Sequence, residues 1–211
     1  MEISTLPLFR GIPAGELTAL LAQASAREAR FQKGDLLLRR GEVTGRLGLV
    51  LEGTVHIIRE DFWGNRSIVG LAGPGEVFAE SYALAGEPLS VSVLAASDGA
   101  ALFLDARHLT DARLTDNLLS LLARKNLMLT GKMRHMACRT TRDKLLSYLS
   151  AQALAAGGSE FDIPMDRQQR ADYLAVDRSA MSAALGKLRD EGVLTFRKNH
   201  FHLLRQGEER D

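Results

Sequence analysis

Asp166-Arg-Gln-Gln-Arg-Ala-Asp-Tyr-Leu-Ala-Val-Asp-Arg-Ser-Ala-Met-Ser-Ala-Ala-Leu-Gly-Lys-Leu-Arg-Asp-Glu-Gly192 is the stretch whose reading decides the fold. Apolar or small residues at Ala171, Leu174, Val176, Met181, Leu185 and Leu188 keep a helical spacing, so two short helices pack face to face across a tight turn. Arg178 and Ser179 open the second helix. In a helix-turn-helix that position enters the major groove, where an arginine donates two hydrogen bonds to guanine O6 and N7. The helix pair alone leaves a second reading open, a helical hairpin that only packs. Val193-Leu-Thr-Phe196 and His200-Phe-His-Leu-Leu204, flanking Lys198-Asn199, then make a compact β-hairpin, and a helix-turn-helix followed by a hairpin is a winged helix.

Upstream of this stretch, Thr140 or Thr141 is placed to cap a helix that runs through Leu145, Leu146, Tyr148 and Leu149 and ends at Gly157-Gly158. Phe161-Asp-Ile163 reads as a short strand. From about Asp111 to Met136 there is no proline and one glycine, Gly131, which predicts one long helix. It carries two apolar stripes. Leu114, Leu118, Leu121 and Met128 form one; Leu119, Leu122, Leu129, Met133 and Met136 form the other at heptad-like spacing, with Asn126 among its core positions. One stripe suits the neighbouring domain, while the other suits the same helix of a second chain, where a polar Asn fixes register. A helix buried within one chain is the alternative.

The N-terminal half reads differently. After an amphipathic helix around Pro13 to Ala24, short runs rich in branched or alternating residues predict strands. These are Asp35–Arg39, Leu47–Leu51, Thr54–Ile58, Ser67–Leu71, Ser90–Leu94 and Ala100–Leu104. Glycines at Gly34, Gly41, Gly53, Gly64 and Gly75 fall where an antiparallel barrel or sandwich turns its corners. Asp61-Phe-Trp-Gly-Asn-Arg66 fits a hairpin tip with Gly64 and Asn65 at positive φ, and Trp63 is read as a cap on the barrel. The expected division is residues 1–110 as a β-barrel domain, 111–137 as a long helix and 138–211 as a winged helix.

With 45% hydrophobic and 25% charged residues in 211, the chain has the composition of a soluble globular protein. No apolar run approaches the ~20 residues of a membrane span, and Met1 to Arg10 lacks the pattern of a secretion signal, so a cytoplasmic protein is expected. Cys138 is the single cysteine, which excludes an intrachain disulfide and any metal cluster held by several thiolates of one chain. A redox role for it stays open beside an inert one. The net charge of +1 hides an asymmetry: residues 1–105 hold 9 Lys/Arg against 13 Asp/Glu, and residues 106–211 hold 18 against 13. Only the second half has the sign that suits phosphates. There is no nucleophile, base and orienter at recognisable spacing, no HExxH and no phosphate-binding glycine loop, so an enzyme is not expected.

This order of parts resembles the bacterial cAMP-receptor/FNR (Crp/Fnr) superfamily of transcription regulators over nearly the whole chain. The residues that carry the likeness are Gly53 after Leu49-Val-Leu-Glu52, Pro74-Gly-Glu-Val-Phe-Ala-Glu80, Arg167 to Arg178 and Asp190-Glu-Gly-Val-Leu194. The resemblance implies an α+β fold with a cyclic-nucleotide-binding-type β-barrel (a jelly roll), a long dimerisation helix and a winged helix-turn-helix. It also implies a homodimer that senses a small molecule, binds inverted-repeat DNA and meets RNA polymerase. The effector pocket it suggests takes in Gly75, Phe78, Ala79, Glu80, Ser81, Leu89 and Ser90, with Lys125 and Asn126 from the helix. The dimer helix uses Leu119, Leu122, Asn126, Leu129 and Met133.

Departures from the family pattern sharpen these expectations. Cyclic-nucleotide binders hold the phosphate with a Gly-Glu segment and an Arg-Ser pair, and here those positions read Ala79-Glu80 and Leu89-Ser90. An anionic phosphate beside Glu80 without that arginine costs on the order of several kcal/mol when buried. An effector other than cAMP is therefore expected, its identity unknown and no metal ligated. A cyclic nucleotide, and a haem held by His56 or His108, are the alternatives. An interaction module whose winged helix contacts protein is a third. On the reading helix Ala183 and Ala184 stand where relatives carry Arg or Glu, which leaves base readout to Arg178, Ser179 and Ser182. Arg167, Gln168 and Thr141 are the phosphate or positioning contacts by resemblance, with Lys187, Arg197 and Lys198 as further candidates. Arg170 and Ala175 also depart, the first from an apolar position, the second from a turn position that often takes Gly.

Overall fold

A computed structural model describes residues 2–204, and its chain divides into two compact units, Met1–Ala123 and Arg124–Asp211. The first unit begins with two 3-10 turns, Ile3–Thr5 and Pro7–Phe9, and helix α1 (Ala14–Gln23). The strands are β1 (Arg27–Phe31), β2 (Leu36–Leu38), β3 (Arg46–Glu52), β4 (Val55–Glu60), β5 (Arg66–Ala72) and β6 (Val77–Phe78). Helix α2 (Glu80–Ala85), β7 (Ser92–Ala95), β8 (Gly99–Asp105) and a 3-10 turn at Ala106–His108 complete the series. Helix α3 (Ala112–Met136) starts in the first unit and ends in the second.

The strands form two four-stranded antiparallel sheets, β1-β8-β3-β6 and β2-β7-β4-β5, packed as the expected jelly roll, with the two sheets not closed into one barrel. The first sheet is covered on both faces. Leu47, Leu49, Leu102 and Leu104 meet the N-terminal turns, α1 and the buried Leu114 and Leu118 of α3. Val50, Ala101, Phe31 and Phe78 meet Val55, Val93 and Ala95 of the second sheet. This double burial is why β3 and β8 read as near-continuous apolar runs. The second sheet buries one face only, so its residues alternate. Between β3 and β6 the backbone must pass close to a ring: a Cβ on Gly48 would lie 2.1 Å from Phe78.

All six expected strands and α1 are present, with boundaries shifted by one or two residues. Three elements go beyond the expectation. β1, Arg-Glu-Ala-Arg-Phe, is an edge strand with three charged residues and so lacks a strand composition. β6 has two residues and α2 six, too few for a periodic signal. At the hairpin tip Gly64 alone has positive φ, with Asp61 accepting from the backbone of Trp63 and Asn65. Trp63 does not cap the roll. It is 81% exposed beside an exposed Phe62, because a five-residue excursion between β4 and β5 carries both rings away from the sheets.

The second unit holds the end of α3, then α4 (Thr141–Ala156), β9 (Glu160–Asp162), α5 (Arg167–Leu174), α6 (Arg178–Asp190), β10 (Leu194–Arg197) and β11 (His200–Leu203). Thr140, not Thr141, caps α4, its hydroxyl accepting from the Asp143 amide, and Gly157 ends the helix at φ 73°. Leu145, Tyr148 and Leu149 of α4 pack on Ala171, Leu174, Met181, Leu185 and Leu188. The three-stranded sheet runs β10-β11-β9, and Phe201 stacks between Phe161 and Phe196 at 6.1 and 5.8 Å. Full burial of such a ring contributes about 1.5 to 3 kcal/mol. Lys198 turns the hairpin at φ 57°. His135, in the last turn of α3, is buried with Nδ1 2.8 Å from the Ser147 hydroxyl and its ring edge-on to Tyr148.

Candidate nucleic-acid interface and effector cavity

The helix pair is held by side chains that satisfy its free amide groups. Asp166 and Gln169 form a capping box at the start of α5, each side chain accepting from the other's backbone N–H at 2.8 and 2.9 Å. The turn between the helices passes through Ala175 in a left-handed conformation, φ 49° and ψ 57°. Asp177 then caps α6, its Oδ1 accepting from the amides of Ser179 and Ala180 at 2.8 and 2.9 Å. These hydrogen bonds hold the Asp177 carboxyl below the usual carboxylate range, the one from the Ser179 side chain contributing most.

On this frame Arg178 and Ser179 are exposed in the first turn of α6 and Ser182 is half-buried one turn further on. The Ser179 hydroxyl is held by Asp177, so Arg178 is left as the side chain there whose donors meet no acceptor among the described residues. Lys187 is exposed nine residues beyond Arg178, about 13 Å along the helix axis. Arg167 lies with its guanidinium 5.6 Å over the Phe196 ring, and Gln168 donates to Asp172 at 2.8 Å, which fixes both at the start of α5. Thr141 is half-buried in the first turn of α4; Arg197 and Lys198 are exposed on the hairpin. Arg170 is fully buried. Its Nη2 donates to the Met165 carbonyl at 2.9 Å and its guanidinium sits 4.8 Å over Phe201, but Nε and Nη1 have no hydrogen-bond partner among the described residues.

In the first unit the candidate effector residues fall around the turn from β6 into α2. Gly75 has φ 83°, Phe78 is fully buried edge-on to Phe103, and Ala79 takes φ 58° as the residue before α2. Glu80 is buried at the start of α2, while Ser81 is exposed. Leu89 is buried, and Ser90 is exposed with its hydroxyl 2.6 Å from the Tyr82 phenol. Tyr82 was not singled out by sequence reasoning. A tyrosine two residues after Glu80 becomes informative only once α2 folds it back toward Ser90. Lys125 and Asn126 fall in the second unit's part of α3, half-buried and exposed respectively.

On α3, Leu119, Leu129 and Met133 are exposed at 64%, 57% and 69%, and Leu127, Met128 and Met136 are exposed as well. Leu122 instead packs against the core of the first unit beside Leu121. The stripe assigned to that core therefore ends at Leu121; Met128 is not part of it. His56 alternates with the buried Val55 and so faces out of the sandwich, and His108 lies 3.6 Å from Asp105. Among the described residues no group of three or more His, Cys, Asp or Glu is placed to hold a metal ion, and no helix is long and apolar enough to cross a membrane.

Two family models match this chain, the cyclic nucleotide-binding domain over residues 28–116 and the Crp-like helix-turn-helix domain over residues 143–206. The chain belongs to the Crp/Fnr superfamily. It is 28% identical over 194 residues to a cyclic AMP receptor protein of Thermus thermophilus, covering 89% of this chain and 88% of that one. Among solved structures, the c-di-GMP-responsive regulator CLP of Xanthomonas campestris shares the fold at TM-score 0.57 and 21% identity, covering 92% of this chain and all of that one. FixK2 of Bradyrhizobium japonicum does so at 0.51 and 21%, covering 86% and 93%. As a Crp/Fnr protein the chain is a DNA-binding transcription regulator with an effector-binding domain, and not an enzyme.

Proposed function

We propose that this Crp/Fnr regulator acts in the cytoplasm as a homodimer joined along α3, reads an inverted-repeat DNA site through α6 and answers to a small-molecule effector other than a cyclic nucleotide. The observation that carries the reading is Arg178, exposed at the capped start of α6 with the neighbouring hydroxyl already engaged. Phosphate contacts from Arg167, Gln168, Thr141 and Lys187 supply affinity, and Arg178 supplies most of the base discrimination. The exposed Leu119, Leu129 and Met133 support a seam between two copies of α3, and RNA polymerase is the partner that such a complex would meet. The division at residues 110 and 137 into sensor, dimer helix and reader belongs to this proposal. In a binding-site selection assay Arg178→Ala loses about 1 to 3 kcal/mol of discrimination at one base of each half-site. Unaltered specificity would refute the assignment.

The effector reading rests on Leu89, which is buried where an arginine would neutralise a phosphate, and on Ser90, whose hydroxyl is taken by Tyr82. Calorimetry with cAMP and cGMP tests it, with no saturable heat expected at micromolar ligand. A second reading, a cyclic-nucleotide response, is favoured by Glu80 and Ser90 and by the cyclic AMP receptor protein among its relatives. Saturable heat would establish that reading instead.

A further inference from the structure

The outer face of the β2-β7-β4-β5 sheet holds a cavity of about 350 Å³ that no step of the regulator's reading uses. Strand pairing sets its side. Val93 and Ala95 are buried in the sandwich, so Ser92 and Leu94 between them point out, and Leu94 pairs with Leu36 while Ser92 pairs with Ile58. Leu36, Ile58 and Leu94 thus make an apolar floor outside the sandwich, on the opposite face from the buried core. Arg39 and Arg40, just beyond β2, and Arg66, at the start of β5, converge on its rim together with Glu60 at the end of β4.

The rim is preorganised and left with unused donors. Arg40 is anchored twice, by its amide donating to the Ser92 hydroxyl at 3.0 Å and by Nη1 donating to the Glu60 carbonyl at 2.7 Å. Arg66 Nε donates to the Glu60 carboxylate at 3.0 Å, which holds that negative charge to one side. Both Nη groups of Arg66 and the entire Arg39 guanidinium have no acceptor among the described residues. Three guanidinium groups against one carboxylate give the rim a net charge of +2.

We propose that this cavity is a second ligand site, separate from the interior effector site, for a small molecule with a dianionic head on an apolar body, such as a phosphate monoester. The charge matches a dianion, the guanidinium forks match its oxygens, and the apolar floor takes the body. The volume lies at the lower end of the range of small-molecule sites, about 300 to 1,000 Å³, which favours such a ligand over an acidic peptide or a second copy of the chain.

Methyl-resolved NMR of the full-length protein with Ile, Leu and Val labelled, titrated with phenyl phosphate, tests the proposal. Saturable shifts are expected at Leu36, Ile58 and Leu94, with binding at least about tenfold weaker for inorganic phosphate and for benzyl alcohol. Arg39→Ala and Arg66→Ala should each weaken phenyl phosphate about tenfold while leaving the remaining methyl spectrum and the thermal midpoint unchanged. Shifts that appear instead at the interior Val50, Val55 and Val93, shifts that follow protein rather than ligand concentration, or affinity indifferent to Arg39 would each overturn it. DNA binding does not enter the readout, so this inference and the regulator's proposed mechanism can fail independently.

Discussion

The carboxylate of Asp177 holds Ser179 twice, through its backbone amide at 2.8 Å and through its hydroxyl. The hydroxyl expected to read a base is thereby committed to the helix cap. Asp177→Ala should lower stability by about 1 kcal/mol in chemical denaturation and weaken DNA binding through a frayed first turn. Ser179→Ala should leave base preference close to that of the parent in the selection assay.

Arg170 brings a charge into the winged-helix core, and burial pushes its guanidinium pKa down. Two of its nitrogens and the Tyr148 hydroxyl are buried without hydrogen-bond partners among the described residues. Arg170→Met keeps the length of the side chain and removes the unpaired donors, so the variant should be more stable by about 1 kcal/mol and melt a few degrees higher. A fall of that size instead would mean that the Met165 and Asn199 contacts and the Phe201 face outweigh the desolvation.

The left-handed Ala175 carries a Cβ where glycine is relaxed. Ala175→Gly removes that strain but adds freedom to the unfolded chain, and the net expectation is a gain of about 0.5 kcal/mol at equilibrium. Ala79, at φ 58° before α2, allows the same comparison in the other unit.

His200 lies between two carboxylates on the wing, Nε2 2.9 Å from Glu160 and Nδ1 3.1 Å from Asp162. Glu160 first and Asp162 second raise its pKa above the ordinary 6.5. Because the folded value is the higher one, the stabilisation is fully present below pH 6.5 and fades as the pH rises through the folded value. An NMR titration should place His200 above its ordinary value, and His200→Ala should flatten the stability profile in that window.

Where a signal depended on period or on a run of residues, the fold was legible. The two helices around Ala175, the hairpin at Lys198 and the single long helix α3 read correctly because each spans several turns or pairs, although the α3 stripes depart from expectation at Leu122 and Met128. β1 escaped because an edge strand tolerates charge, and α2 because six residues carry no period. The candidate site was legible in its residue types and less so in their commitments. Nothing in the order of residues says that Asp177 would claim Ser179, that Tyr82 would reach Ser90, or that Leu122 would turn toward the core rather than the exposed stripe.

The contact between Tyr82 and Ser90 joins α2 to a hydroxyl that the proposed effector site would use. In that proposed site a ligand that needs the same Ser90 hydrogen-bonding position as the phenol would displace it, so occupancy and the swing of Tyr82 would become a single equilibrium. The position of that ring would then report the loaded state of the proposed site, and because Tyr82 rides on α2, whose first residue is the buried Glu80, such a displacement would begin on a helix rather than on a loose loop.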